Sequence, residues 1–143
     1  MDTLTAMTVL TELHGWERFR TPRELMSYVG LVPSENSTGS NVRRGRIGGG
    51  NRFARRVLIE AAQHYSKQPA VGAAMRKRRE GQPGWVLGIA DGAQLRLHRR
   101  FWHLQLGGKN RNKVVVAVAR ELAGFIWTIL QGPTPVASTD KAA

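Results

Sequence analysis

Residues 112–130 read NKVVVAVARELAGFIWTIL and are apolar on nearly all sides when wound as an α-helix. A helix of this kind is surrounded by other protein segments, so we expect it at the domain centre or in a subunit interface. Arg120 and Glu121 interrupt the apolar run, which therefore falls short of a bilayer-spanning segment. We predict a buried helix, a mainly α fold and no membrane partner.

The chain before this segment supplies further helices for it to pack against. A helix from about Gly84 to Gln105 keeps its apolar residues within a narrow arc. They are Val86, Ala90, Ala93, Leu97, Phe101 and Leu104. A short basic helix around Ala70 to Arg79 precedes Gly81 and Pro83, which break the chain. Residues 51–131 are thus predicted to form three to four packed helices.

The first helix of this group begins after Asn51, whose side chain can cap it. Its apolar face is formed by Ala54, Val57, Leu58, Ala61 and Tyr65. Arg52, Arg55 and Arg56 point roughly the opposite way, because helical spacing separates them from that face. The arginines are therefore expected to face outward.

The sequence pattern of residues 1–31 predicts two short helices, which residues 14–20 join. The first has Leu4, Met7, Leu10 and Leu13 at helical spacing. The second opens with Thr21-Pro22-Arg23-Glu24, in which the threonine caps, the proline suits the first helical position and the glutamate completes a capping box. Gly30 supplies a C-terminal stop.

Charge is the unusual feature of the composition. The chain has 22 Lys and Arg against 10 Asp and Glu, a formal net charge of +12. Residues 36–120 hold eighteen of the bases and three of the acids. Such a surface points to a polyanionic partner, nucleic acid first and anionic membrane second. The absence of cysteine excludes disulfides, Cys-containing zinc sites and thiol nucleophiles, and favours a cytoplasmic protein.

Residues 32–50 predict a long, irregular and basic loop. It places the hydroxyls of Ser34, Ser37 and Thr38 beside arginines, and this combination suits a phosphate group. The arginines of the loop are Arg43, Arg44 and Arg46. From composition alone, clusters of Ser, Thr, Gly and Asn usually only form loops.

Arginines elsewhere can neutralise backbone phosphates in a sequence-tolerant, salt-dependent way. They are Arg52, Arg55, Arg56, the cluster at 76–79, Arg96, Arg99 and Arg100. Few neighbouring acids pair them, so phosphate binding is favoured over a merely solvated face. The four histidines show no metal spacing and the acids are scattered, so we expect no metal site. The tryptophans suit either packing or base stacking.

Several motifs together resemble one family, the DEDD-type insertion-sequence transposases of the "one-ten" group. The resemblance covers most of residues 2–130 and is to their C-terminal domain. It runs through Asp2-Thr3-Leu4-Thr5-Ala6, residues 23–35 (RELMSYVGLVPSE), Ser37-Thr38-Gly39, Gly50-Asn51-Arg52 with Arg55-Arg56, and residues 117–123 (AVARELA). The opening helix pair also looks like the helix-hairpin-helix element of that domain.

The resemblance implies a nucleophilic serine in the Ser-(Ser/Thr)-Gly step, which is Ser37 here, with Thr38 and Ser34 as alternatives. It implies phosphate contacts by Arg43, Arg44, Arg46, Asn51, Arg52, Arg55 and Arg56. It also implies, as partners, DNA, a structured guide (bridge) RNA and other copies of the protein. An N-terminal RuvC-like nuclease domain that binds Mg²⁺ through four acids is expected to precede this chain. Where the family has Ile-Thr-Lys-x-Gly-Asn, residues 47–51 read IGGGN, one residue shorter and without the lysine.

We therefore expect a transposase C-terminal domain over residues 1–131 and a disordered tail over 132–143. The domain divides into a helix-hairpin-helix-like part (1–31), an active-site loop (32–50) and a helical part (51–131). We expect it in the bacterial cytoplasm near the nucleoid. The alternatives are a non-catalytic helix-hairpin-helix module that binds DNA or RNA, and a basic ribosome-associated or nucleoid protein.

Overall fold

The computed structural model describes residues 1–38 and 41–133, and for residues 35–38 and 41–44 it describes the backbone alone. Most of the tail expected over 132–143 lies outside these residues. The elements are α1 (Thr3–Glu12), a 3-10 helix (Trp16–Arg18), α2 (Pro22–Tyr28), β1 (Glu35–Thr38), β2 (Asn41–Arg44), α3 (Arg52–Gln63), a second 3-10 helix (His64–Ser66), α4 (Ala73–Arg79), α5 (Gly84–Leu106) and α6 (Arg111–Gln131). The mainly α prediction, with four helices after residue 51, is confirmed.

The domain is built around α6, which packs against α2, α3 and α5. One side of α6 is fully buried, and it consists of Val114, Val115, Val118, Ala119, Leu122 and Ala123. The expectation that this segment falls short of a bilayer-spanning run is wrong by length and hydropathy, by which the helix is able to cross a membrane; the core helix of a globular protein meets the same criteria. Contacts with three other helices account for this buried side, and the remaining apolar side chains of the helix are partly buried.

The N-terminal helix pair forms as predicted, with an unexpected distribution of burial on α1. Val9 and Leu13 are buried, whereas Leu4, Met7 and Leu10 are exposed. Helical spacing alone therefore identified the helix without identifying its inner face. The side chain of Asp2, which accepts a hydrogen bond from the Thr5 backbone N–H at 2.8 Å, caps this helix.

Both ends of α2 follow the local signals in the sequence. Thr21 Oγ1 accepts from the Glu24 N–H at 3.3 Å, and the Glu24 carboxylate accepts from the Arg20 N–H at 2.8 Å, one residue before the position that the capping box predicts. At the C-terminus Gly30 has φ of 71°. The Gly30 and Leu31 N–H groups donate to Ser27 O and Met26 O, which is the Schellman pattern. Leu31 is thereby turned into the core.

The segment predicted to be an irregular loop contains a β-hairpin. Strands β1 and β2 are antiparallel, and the prediction of irregular structure is wrong for their eight residues. The backbone pairs are Glu35–Arg44, Asn36–Arg43, Ser37–Val42 and Thr38–Asn41. Residues 45–51 remain irregular and return the chain to the start of α3. Asn and Ser are poor strand formers, so the composition of this segment hid the hairpin.

Helices α3 and α5 bury the faces that their periodicity predicts. On α3 these are Ala54, Leu58, Ala61 and Ala62, and on α5 Ala93, Leu97, Phe101 and Leu104. The short α4 has no buried residue. It is held by contacts at its surface, chiefly the bidentate pair in which Arg79 donates to both carboxylate oxygens of Asp91 on α5 at 2.8 and 2.9 Å.

Candidate nucleic-acid interface

Ser37 lies in the hairpin, near its far end. Its backbone partner is Val42, and Thr38–Asn41 is the last described pair before residues 39–40. The side chains of Ser37, Thr38, Arg43 and Arg44 lie outside the described part of the structure, so their contacts with one another stay predictions. The structure does bring these four residues into one short two-stranded ribbon, as a local nucleophile-and-arginine site requires.

Ser34 lies at the base of the ribbon and has a structural role there. Its backbone oxygen accepts from the Gly45 N–H at 2.7 Å, and its N–H donates to Arg46 O at 3.5 Å. The Ser34 hydroxyl also donates to Arg46 O, at 3.4 Å. These bonds close the hairpin where it leaves the helical body. Of the two alternatives to Ser37, Thr38 lies next to it in the ribbon, whereas Ser34 lies at the opposite end, at the base.

Arg55 joins the returning chain to the end of α2. Its Nη1 donates to Gly49 O and, at 3.4 Å, to Val29 O. A Cβ on Gly30 would lie 2.3 Å from this nitrogen, so only glycine leaves room for it. The expectation that Arg55 points outward is wrong, because its guanidinium turns back onto the loop. A contact between Arg55 and phosphate stays a prediction. The hydrogen bonds support an internal role, in which Arg55 holds the loop at Gly49 against the end of α2.

Asn51 connects the same loop to α1 and α3. Its Oδ1 accepts from the N–H groups of Phe53 and Ala54 at 3.0 Å, which is the predicted N-cap. Its Nδ2 donates to Glu12 Oε2 at 2.6 Å. The sequence analysis did not include Glu12 in the site. Nothing in the local sequence indicates this contact, because the two residues are 39 positions apart. The amide is thus engaged on both sides within the protein.

Three arginines flank the hairpin base with exposed guanidinium groups: Arg46, Arg52 and Arg56. The Arg52 guanidinium lies over the exposed Phe53 ring, 5.1 Å from its centroid. Arg56 Nε lies 3.0 Å from Glu60 Oε1, an exposed pair that contributes little stability. Together these three arginines form an exposed cationic surface at and after the hairpin base.

The expectation that few acids pair with the arginines is wrong at several positions. Besides Glu60, Asp91 binds Arg79, and Glu121 on α6 lies 3.0 Å from Arg96 and 3.1 Å from Arg100. The Arg79 guanidinium, through its hydrogen bonds, lowers the pKa of the Asp91 carboxyl below its ordinary value. Within the described ranges, no three His, Asp or Glu side chains come together in a way that could hold a metal ion.

Comparisons with known proteins agree with the motif resemblance. A protein-family profile described as transposase IS116/IS110/IS902 family matches residues 1–76. A Sinorhizobium fredii protein named as a transposase, y4qE, is 43% identical over 130 residues, covering 90% of this chain and 33% of its own length. A Pseudomonas aeruginosa protein named as a family 20 transposase is 28% identical over 132 residues, covering 92% and 32%. The chain therefore spans about a third of these relatives. No solved structure matches it.

Proposed function

Because the chain belongs to the IS116/IS110/IS902 transposase family, we propose that it is the C-terminal domain of a DNA transposase, which binds DNA and supplies Ser37 as the nucleophile for strand cleavage and rejoining. The observation that carries the proposal is the ribbon, which holds Ser37 and Thr38 beyond an anchored base, with exposed arginines at that base and on α3. We propose that the Ser37 hydroxyl meets a phosphodiester there, outside the helical body.

The proposed chemistry is transesterification at phosphorus. The Ser37 hydroxyl loses its proton and its oxygen forms a phosphoester bond with the DNA phosphorus, while the bond to one deoxyribose oxygen breaks. The leaving oxygen takes up a proton and becomes a free hydroxyl. In the reverse direction a DNA hydroxyl attacks the phosphoserine and releases Ser37. One phosphoester is exchanged for another, so rejoining requires no external energy source.

The arginines have two proposed roles in this reaction. Arg43, Arg44, Arg46, Arg52 and Arg56 bind phosphoryl oxygens and stabilise the charge that develops on them. Arg55 and Asn51 instead position the ribbon, since their hydrogen bonds tie its return segment to α1, α2 and α3. A rigid support of this kind keeps a nucleophile within the small displacement that catalysis tolerates.

The remaining partners are proposed to lie in the rest of the protein and its complex. We place the Mg²⁺-binding acids in an N-terminal RuvC-like domain, which is expected to complete the active site. A structured guide RNA and further copies of the protein are proposed as partners in a bacterial cytoplasmic, nucleoid-associated complex. The chain's share of about a third of its relatives' length leaves room for such a domain.

The decisive experiment is Ser37→Ala in the complete transposase, with Ser34→Ala as the matched control. We expect Ser37→Ala to lower strand cleavage by at least a thousandfold, to abolish the covalent protein–DNA adduct on denaturing gels and to leave DNA binding within about twofold. Ser34→Ala should still form the adduct. Cleavage and adduct formation by Ser37→Ala would reject the assignment. Binding that depends on the arginines in a protein that cleaves nothing would instead indicate a non-catalytic module.

A further inference from the structure

A second basic surface lies on α5, where an open cavity of about 780 Å³ forms between that helix and residues 66–69. Leu95, Arg99 and Trp102 follow one another at spacings of four and three residues, so they lie along one side of the helix. Gln68 and Pro69 form the opposite wall. Asp and Glu are missing from the residues that line the described cavity, so nothing in its wall offsets the charge of Arg99.

Trp102 is presented to solvent and held in place there. The side chain is 39% exposed, and its Nε1 donates to Ser66 O at 3.0 Å. Its ring also makes a T-shaped contact with the buried Phe101 ring, with centroids 5.7 Å apart. With its only donor engaged, the exposed part of the indole is an apolar surface. Leu95, which is 56% exposed, adds an apolar side chain about two helical turns before Trp102.

His98 adds a polar group with a fixed position to the cavity lining. Its Nδ1 lies 2.8 Å from Tyr65 O. A carbonyl oxygen only accepts, so Nδ1 carries the proton, and the Nε2 of the neutral ring is a hydrogen-bond acceptor. The cavity therefore combines an aromatic face, an acceptor and a cation, which are the groups that recognise the base and the phosphate of one nucleotide.

A cationic ridge continues beyond the cavity. A second, smaller depression is lined by Arg96, Arg99, Arg100 and His103. Glu121 pairs with Arg96 and Arg100 but not with Arg99, for which no acidic partner occurs within the described residues. Arg99 lies in both depressions and is exposed. It is thus placed to bind a phosphate while a neighbouring base rests on Trp102.

This surface is separate from the ribbon that bears Ser37. The ribbon leads into the N-terminus of α3. Tyr65 and Ser66 follow the C-terminus of α3, and their backbone oxygens bind His98 and Trp102. The 12 residues of α3 separate the two ends. That length corresponds to about 18 Å of helix. The α5 cavity and the base of the ribbon therefore lie at opposite ends of α3.

We propose that the α5 cavity is a single-strand nucleic-acid site, in which an unpaired base stacks on Trp102 and Arg99 binds the adjoining phosphate, with Leu95 as a further apolar contact for the strand. A paired base in a duplex has no free face, so a duplex uses only the cations of such a surface. The cavity lining offers a single hydrogen-bond acceptor with which to distinguish one base from another. Binding is therefore expected to tolerate different sequences. The site goes beyond the Ser37 chemistry and does not depend on it.

The test measures affinity of the 143-residue chain for fluorescein-labelled dT20, rU20 and a 20-base-pair duplex by anisotropy, at several salt concentrations. Trp102→Ala should weaken binding of a single strand by about 5- to 150-fold, the range for loss of one stacked base. Its effect on the duplex should stay within about twofold. Arg99→Gln should weaken single-strand binding and lower the salt slope by about 0.7, the value for one phosphate.

Two matched variants make the result specific. Trp102→Phe keeps a stacking ring but loses the bond to Ser66, so it should retain most of the affinity that Trp102→Ala loses. Arg20→Gln removes an equal charge from an exposed position near α2 and should change single-strand affinity by less than twofold. Thermal unfolding of each variant establishes that it is folded. Comparison of dT20 with rU20 shows whether the site prefers DNA or RNA. The proposal requires that the chain binds at least one of them.

Wild-type affinity for both strands in Trp102→Ala and Arg99→Gln would overturn the proposal. Equal losses for single strands and duplex would also overturn it, since they would indicate a purely electrostatic surface. The measurement involves no cleavage, so its failure would leave the Ser37 proposal standing, and a cleaving Ser37→Ala enzyme would leave the α5 site standing.

Discussion

Single residues at the base of the ribbon join three helices that are distant in sequence. Asn51 caps α3 and binds Glu12 on α1, while Arg55 binds the ends of α2 and of the glycine segment. Gly50 is needed for the same approach, because a Cβ there would lie 2.3 Å from Tyr28 O. Glycine is thus required at positions 30 and 50 for two reasons: the local turn conformation favours it, and neighbouring atoms leave no room for a Cβ.

Gly30→Ala should destabilise the protein strongly. Gly30 has φ of +71°, and its new Cβ would meet Arg55 Nη1 and Gly49 O. Left-handed backbone at a non-glycine residue costs about 1–3 kcal/mol, and the displaced Arg55 adds to that loss. Urea denaturation measures the free energy of unfolding. Gly88→Ala is the control, since its Cβ meets nothing within 4 Å inside helix α5, and it should stabilise by about 0.5–1 kcal/mol. Equal stabilities of the two variants would contradict the close contact.

Among the described α-helices, α4 differs from the rest because it buries no side chain. Its place on the domain depends on the Arg79–Asp91 pair and on the bond from Arg78 Nη1 to Met1 O at 3.3 Å. Four consecutive basic residues in a helix with no buried anchor favour local opening, since little apolar burial opposes it. The basic cluster at 76–79 is therefore partly structural, although the sequence suggested phosphate binding for all of it.

Acid should release α4 before the domain unfolds. The hydrogen bond from Arg79 lowers the pKa of Asp91 from 3.8, so the pair contributes above that value and is lost as pH falls through the lower folded-state pKa. Hydrogen-exchange protection of residues 73–79 should drop in this range while that of α6 persists. Asp91→Asn should show the reduced protection already at neutral pH. A variant with wild-type protection at pH 7 would show that the pair does not hold α4.

For the molecule as a whole, the net charge is +12, and two of its basic surfaces are proposed as nucleic-acid sites. The ribbon base carries Arg46, Arg52 and Arg56, and α5 carries Arg99 beside an aromatic cavity. Between them, α6 contributes the apolar centre and also Glu121, which pairs with two α5 arginines. Duplex DNA is proposed at the first surface and a single strand at the second, so one domain can hold two nucleic-acid segments at once.

Removal of the ribbon-base charges tests the first surface. The triple variant Arg46→Gln, Arg52→Gln and Arg56→Gln should weaken duplex binding and lower the salt slope by about 2 to 3, since each phosphate contact contributes about 0.9. The control removes three exposed charges elsewhere, by Arg20→Gln, Arg23→Gln and Lys109→Gln. If both triple variants lose affinity equally, net charge and not the ribbon base determines duplex binding.

The sequence by itself determined the helices, both ends of α2, the cap of α3 and the all-round apolar α6, because these depend on neighbours within a turn or two of the chain. It also pointed to a nucleic-acid partner through charge. Only the tertiary structure decided which face of α1 is buried, that Arg55 turns inward, that residues 35–38 pair with 41–44, and that Trp102 lines one cavity with Arg99. Those features depend on contacts across the chain, such as the 36 residues between Trp102 and Ser66, which local propensity does not encode.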